Sequence, residues 1–387
     1  MNTIVALFVA LERGIGVIVL TLVRVIARTG RAVVLALGAA MQRLARLPLR
    51  LRSGIVGLLV VAGLAAGGWA LRDGPVNWYE AEFGRRPLLK ARSWYYRLDK
   101  VDPDEIVRVL ADVVVMDHAV NGGRDALPKV QVDKVRSGGG GNRQVLAYMS
   151  IGEAEEFRFY WKPEWTNEKD KAKLPAWHKA ANCAWPGAHA VRFWHPEWKK
   201  LIYGGPDSFL ARIVAAGFDG VYLDRVDIYE LFKHELADPE AEMIAFVTDL
   251  AAVARRLKPG FLIVPQNAED LLRYKHYRRV IDALGKEDLL HGANGTGVRN
   301  KPEDIAWSYS RLKMLLRDRK PVFAVEYLVS RDAIAEAKLE LTQLGVVPTN
   351  QHRSLDGRDP TLPHFEDKVT PGTPEHTKAN CDKSNAW

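Results

Sequence analysis

A chain of 387 residues is longer than a single small core requires, and a hydrophobic content of 48% is ordinary for a globular protein, so one large domain with an appendage is expected. The formal charge of +8 suggests a nucleic-acid partner until it is located: residues 1–72 hold nine Arg and one Glu, which leaves 46 basic (55 less nine) and 46 acidic (47 less one) side chains elsewhere. The remainder is formally neutral, so the charge gives no support for nucleic-acid binding.

Residues 1–52 form an Arg-rich leader whose apolar runs, broken by Glu12, Arg13, Arg24, Arg28 and Arg31, suit an amphipathic helix lying in a membrane interface. Residues 53–71 (SGIVGLLVVAGLAAGGWAL) carry no charge over 19 positions, close to the roughly 20 needed to span a bilayer core. Arg43, Arg46, Arg50 and Arg52 precede them, which keeps the N-terminus in the cytoplasm and delivers the rest outside. A cleaved signal peptide is the alternative, since Ala65 to Gly68 are small and Met41 would make a conventional start. Residues 72–91 mix Gly, Pro and charge and read as a linker.

From residue 92 to 355, strand-like and helix-like segments alternate. Strands are expected at 93–98, 113–116, 145–150, 218–223, 261–265, 280–284, 322–327 and 345–348, with helices at 103–111, 128–135, 196–216, 239–257, 270–274, 302–316 and 333–344. Each strand but the last is followed by a helix. Strict alternation predicts a (β/α)8 TIM barrel, with a doubly wound open sheet as the alternative. The pattern pauses for some fifty residues after Ser150, a stretch holding Trp161, Trp165, Trp177, Trp185, Trp194 and Trp198; one or two of these are expected to touch substrate and the rest to pack. Residues 356–387 read as a polar tail. Cys183 and Cys381 either pair, in an oxidising compartment, or remain two thiols.

Several of these segments end on, or near, a carboxylate: Asp117, Glu153, Asp224, Glu287 and Glu326. Acids gathered at the C-terminal ends of barrel strands are the equipment for breaking a glycosidic bond, which needs a proton donor and a second carboxylate. No metal-ligand spacing and no nucleophile elbow is present, so neither a metal nor another cofactor is expected.

The ordered motifs VLAYMSIGEAEEFRFYW, FWHPEWKKLI, AGFDGVYLDRVDIY, VPQNAEDL, GKEDL and VEYL resemble the glycoside hydrolase family of endo-α-1,4-polygalactosaminidases, whose relatives include the hydrolase domain of a Pel polysaccharide-processing protein. The resemblance covers about residues 92–355. It implies a (β/α)8 barrel acting on a galactosamine-containing exopolysaccharide, with the catalytic pair falling on Asp224 and Glu287. Asp224 is then the nucleophile and Glu287 the general acid/base; their bland readings are an acid that holds Arg225 and an acid in a helix's first turn. Expected substrate contacts are Asp117, Tyr148, Glu153, Asp227, Gln266, Asn267, Glu326 and Tyr327, with pairing to Arg158 or Arg192 as the alternative for Asp117 and Glu153. The partners expected are a polysaccharide and, through the N-terminal helix, the cytoplasmic membrane. A non-catalytic polysaccharide-binding barrel is the competing function.

Overall fold

The computed structural model describes residues 87–362, apart from 124, 140, 142 and 166–172, together with Cys381. The leader and the expected spanning segment, 53–71, lie outside the described residues, as does most of the tail. Among the described residues no helix is long and apolar enough to cross a membrane.

Eight parallel strands follow one another around the core: β1 (Trp94–Arg97), β2 (Val113–Met116), β3 (Gln144–Ser150), β4 (Gly220–Asp224), β5 (Leu262–Pro265), β6 (Leu284–Glu287), β7 (Val322–Glu326) and β8 (Val347–Asn350). Strands β1 to β5 form one continuous ladder and β6 to β8 a second. Among the described residues one parallel bridge, Gln266 with Gly285, joins the two ladders. At the other seam the Trp94 indole N–H donates to the Val347 carbonyl at 3.1 Å.

The reason these segments become strands is visible in their burial. Runs such as VVVM in β2 and VYL in β4 are buried on both faces, as parallel strands covered by helices must be. Period two then divides them. Trp94, Tyr96, Val113, Val115, Leu146, Tyr148, Tyr222, Val264, Phe323, Val325 and Tyr327 fill the interior, whereas Val114, Met116, Val145, Ala147, Met149, Val221, Leu223, Ile263 and Ala324 pack outward with the helices. Helix Pro239–Leu257 shows why the outer layer forms where it does. Asp238 caps it by accepting from the Ala241 N–H at 2.9 Å, and Pro239 opens it. Its face of Met243, Phe246, Val247, Leu250 and Ala254 is buried.

Three departures from the expected elements have local causes. The helix expected at 196–216 is two, Pro196–Ile202 and Phe209–Ala215, because Gly204-Gly205-Pro206 interrupts it. The strand expected at 280–284 begins later, since Val280 completes helix Lys275–Val280 and β6 starts at Leu284. Between β3 and β4 lies an antiparallel three-stranded sheet of Glu153–Glu155, Ala188–Val191 and His178–Ala181, in that spatial order. It accounts for the long pause in the alternation. Cys183 and Cys381 are joined in a disulfide with Cα atoms 5.0 Å apart.

Candidate active site

The inward series on each strand continues one step past the core into polar residues. Tyr222 is followed two positions on by Asp224, Val264 by Gln266, Gly285 by Glu287 and Val325 by Tyr327, so four neighbouring strands deliver these side chains to one mouth. At three of them the chain then leaves the strand abruptly. Arg225 (φ 56°), Asn267 (φ 55°), Ala268 (φ 50°) and Asp288 (φ 52°) all adopt the left-handed conformation that non-glycine residues avoid.

The contacts bring Asp224 and Glu287 together. The Gln266 side-chain amide donates to Asp224 Oδ1 at 3.2 Å and to Glu287 Oε2 at 2.6 Å. Those two oxygens therefore lie no farther apart than the two bonds laid end to end, about 5.8 Å. The amide is held in this sense from behind: the buried Tyr96 hydroxyl donates to Gln266 Oε1 at 3.1 Å, so turning the amide over would set a carbonyl oxygen against two acids. Tyr96, on β1 and remote in sequence, was not among the expected site residues. Only its inward parity, shared with Trp94, could have pointed to it.

Asp224 also accepts from the Tyr148 hydroxyl at 2.7 Å and from the Arg225 backbone N–H at 2.7 Å. Burial raises its carboxyl above the ordinary aspartate range, while Arg225 and the Tyr148 hydrogen bond pull it back. Glu287 accepts from the Tyr327 hydroxyl and from the Asn267 amide at 3.5 Å. Burial, then the charges of Asp224 and Asp288, push Glu287 up to about 7 against the opposing influence of Tyr327 and Arg353. Both residues are half-buried. Asn267 acts also as a brace, accepting from the Glu287 N–H at 3.1 Å and from Lys286 at 3.3 Å.

The remaining expected residues fall on either side of this centre. Glu153 is buried beside it, paired with Arg225 at 3.0 Å and accepting from Asn182 at 2.8 Å, so its partner is neither Arg158 nor Arg192. Burial raises it to about 7, Arg225 opposing and Asp224 reinforcing. Asp227 is more open, 38% exposed, and lies 3.6 Å from the same guanidinium. Asp117 takes the alternative left for it: it is buried against Arg158 at 2.8 Å and held by His118 and the Ala119 N–H, which outweigh burial and keep its carboxyl low. The expectation for Glu326 is corrected. Sitting between inward Val325 and Tyr327, it has the opposite parity, and its oxygens are taken up by the Leu290 and His291 N–H groups at 2.9 and 3.0 Å. It holds the start of the His291–Gly292 and Gly295–Arg299 hairpin.

The family model of glycoside-hydrolase family GH114 matches residues 80–363. An uncharacterized protein of Methanocaldococcus jannaschii is 34% identical over 244 residues, 61% of this chain and 66% of that one. One of Deinococcus radiodurans is 34% identical over 215 residues, 55% and 66% of the two chains. The chain thus spans just under two thirds of each of these relatives. The glycoside hydrolase domain of PelA from Pseudomonas aeruginosa has the same fold, with a TM-score of 0.53 over 69% of this chain and 96% of that one at 19% identity. With a family match that takes in all eight strands and the acids they carry, this chain belongs to glycoside-hydrolase family GH114.

Proposed function

We propose that this protein hydrolyses glycosidic bonds within a galactosamine-containing exopolysaccharide, with Asp224 as nucleophile, Glu287 as general acid/base and retention of anomeric configuration. The observation that carries the reading is the pair of carboxylates tied by one Gln266 amide, one of them with its proton held to about 7. Glu287 gives its proton to the glycosidic oxygen as that bond breaks, while Asp224 attacks the anomeric carbon and forms a glycosyl ester. Glu287, now ionised, takes a proton from water; the water's oxygen bonds to the anomeric carbon and Asp224 leaves as carboxylate. Support for retention comes from the Gln266 amide bridging one oxygen of each acid, a closeness in keeping with the short carboxyl separation, roughly 5–5.5 Å, of retaining pairs. The galactosamine assignment rests on motif resemblance. The disulfide suits an oxidising compartment, in keeping with an apolar segment at 53–71 that anchors the domain to the membrane or exports it.

The test is release of new reducing ends from galactosamine polymers by the wild-type protein and by Asp224→Asn and Glu287→Gln. Each substitution is expected to lower the rate by about 10²–10⁴-fold, and NMR of the first product should show the anomer of the bond cleaved. Polymer retardation in affinity electrophoresis without any new ends from the wild type would replace hydrolysis with binding alone.

A further inference from the structure

Two large aromatic side chains on adjoining turns are exposed, Phe157 at 51% with the Arg158 guanidinium 4.8 Å from its ring centre, and Trp185 at 44%. The five other tryptophans between β3 and β4 are occupied. Trp161, Trp177 and Trp198 are buried, and Trp165 and Trp194 pack against the same core. Trp165 lies edge-on to Trp161 and Trp177 with ring centres 5.5 and 5.4 Å apart, and Trp194 lies 4.7 Å from Phe232. Of the six, Trp185 alone is exposed.

The turn that carries Trp185 is fixed. The Trp185 N–H donates to the Asn182 carbonyl at 3.3 Å, the Ala188 N–H to the Trp185 carbonyl at 3.0 Å, and the Asn182 N–H to the Ala188 carbonyl at 2.8 Å. The Asn182 side chain accepts from the Ala184 N–H at 2.9 Å, and Cys183 is cross-linked to Cys381. This rigid turn is rooted in the acid cluster: Asn182 donates to Glu153, Glu153 pairs with Arg225, and Arg225 is the residue after Asp224. A turn closed by that bond keeps residues 182 and 185 within about 7 Å at Cα. The turn of Phe157 is tied to it by the Glu156 N–H, which donates to the Gly187 carbonyl at 2.9 Å.

From this placement we infer that Trp185 and Phe157 form a stacking subsite for pyranose rings of the polymer, away from the bond that is cut and on the β3 side of the mouth. A ring face left in water is unfavourable in proportion to its apolar area, and a sugar's apolar face relieves it. Because the backbone bearing Trp185 is already ordered, little freedom is lost when the sugar docks. The sugar as ligand rests on the proposed glycosidase reading; the subsite itself rests on geometry.

Trp185→Ala, Phe157→Ala and Trp185→Tyr decide the matter in two measurements. In a Glu287→Gln background, retardation by galactosaminan in affinity electrophoresis should weaken about tenfold with either alanine, one aromatic face being lost, and Trp185→Tyr should restore most of it. In the active protein, the ratio of kcat/KM on long polymer to kcat/KM on a disaccharide-length substrate should fall by a similar factor, through KM. Wild-type retardation in Trp185→Ala, an unchanged length ratio, or no recovery with Trp185→Tyr overturns the subsite. A wild-type protein that is retarded through Trp185 yet makes no reducing ends leaves the subsite standing and removes hydrolysis.

Discussion

Asp224 accepts from a hydroxyl, a backbone N–H and an amide and faces the Arg225 charge, all of which favour its anion, whereas Glu287 is crowded by two other carboxylates, which favour its proton. Two predictions follow from that asymmetry. On the proposed reading, Tyr148→Phe removes a donor to ionised Asp224, so the acidic limb of the kcat/KM profile should move to higher pH with activity reduced about tenfold; an unmoved limb in a pH–rate series would disconnect Tyr148 from the ionisation of Asp224. The second concerns stability. Glu287 binds its proton more tightly folded, at about 7, than at its ordinary 4.5, so the native chain holds more protons across that window and loses stability as pH rises through it. Glu287→Gln lacks this loss. Its melting temperature relative to wild type should therefore climb between pH 5 and pH 8, and a difference that stays flat by calorimetry would count against the raised proton affinity.

Strand parity explains both what the sequence disclosed and what it concealed. The acids and amides at the ends of β4, β5 and β6 were legible because each follows an apolar run, and alternation carries Asp224, Gln266 and Glu287 inward together. Glu326 was misplaced because it adjoins Tyr327, and neighbours on a strand face opposite ways. Tyr96 went unread, since its partner Gln266 lies 170 residues away. The antiparallel sheet after β3 was hidden for another reason: strands such as HKAA carry no β-branched run to announce them. Gly285 in β6 was equally silent. A Cβ there would sit 1.9 Å from the hydroxyl of Tyr222 beneath the site. Gly285→Ala should therefore destabilise by at least about 1–3 kcal/mol through overpacking and weaken catalysis by shifting Glu287, two residues on. Denaturant unfolding checks the first effect, and a midpoint equal to wild type would mean that β6 yields freely.

At the scale of the molecule, the Cys183–Cys381 bond closes a loop of 198 residues that contains five of the eight barrel strands. A cross-link of that reach acts chiefly on the unfolded chain, and its loss, through Cys183→Ser or Cys381→Ser, should cost about 2–4 kcal/mol in urea unfolding; equal midpoints with and without the bond would show that it contributes nothing. Around the wall itself, among the described residues, the two ladders meet at one bridge between β5 and β6, beneath the gap between the two acids. Backbone pairing is thin where the two acids face each other, and a side chain, Gln266, ties them together. The separation of the two acids can then change without re-registering a strand. On the proposed glycosidase reading, shortening that tie by one methylene, Gln266→Asn, is expected to free the two acids toward a gap wide enough for a water, and the anomer of the first product by NMR checks it.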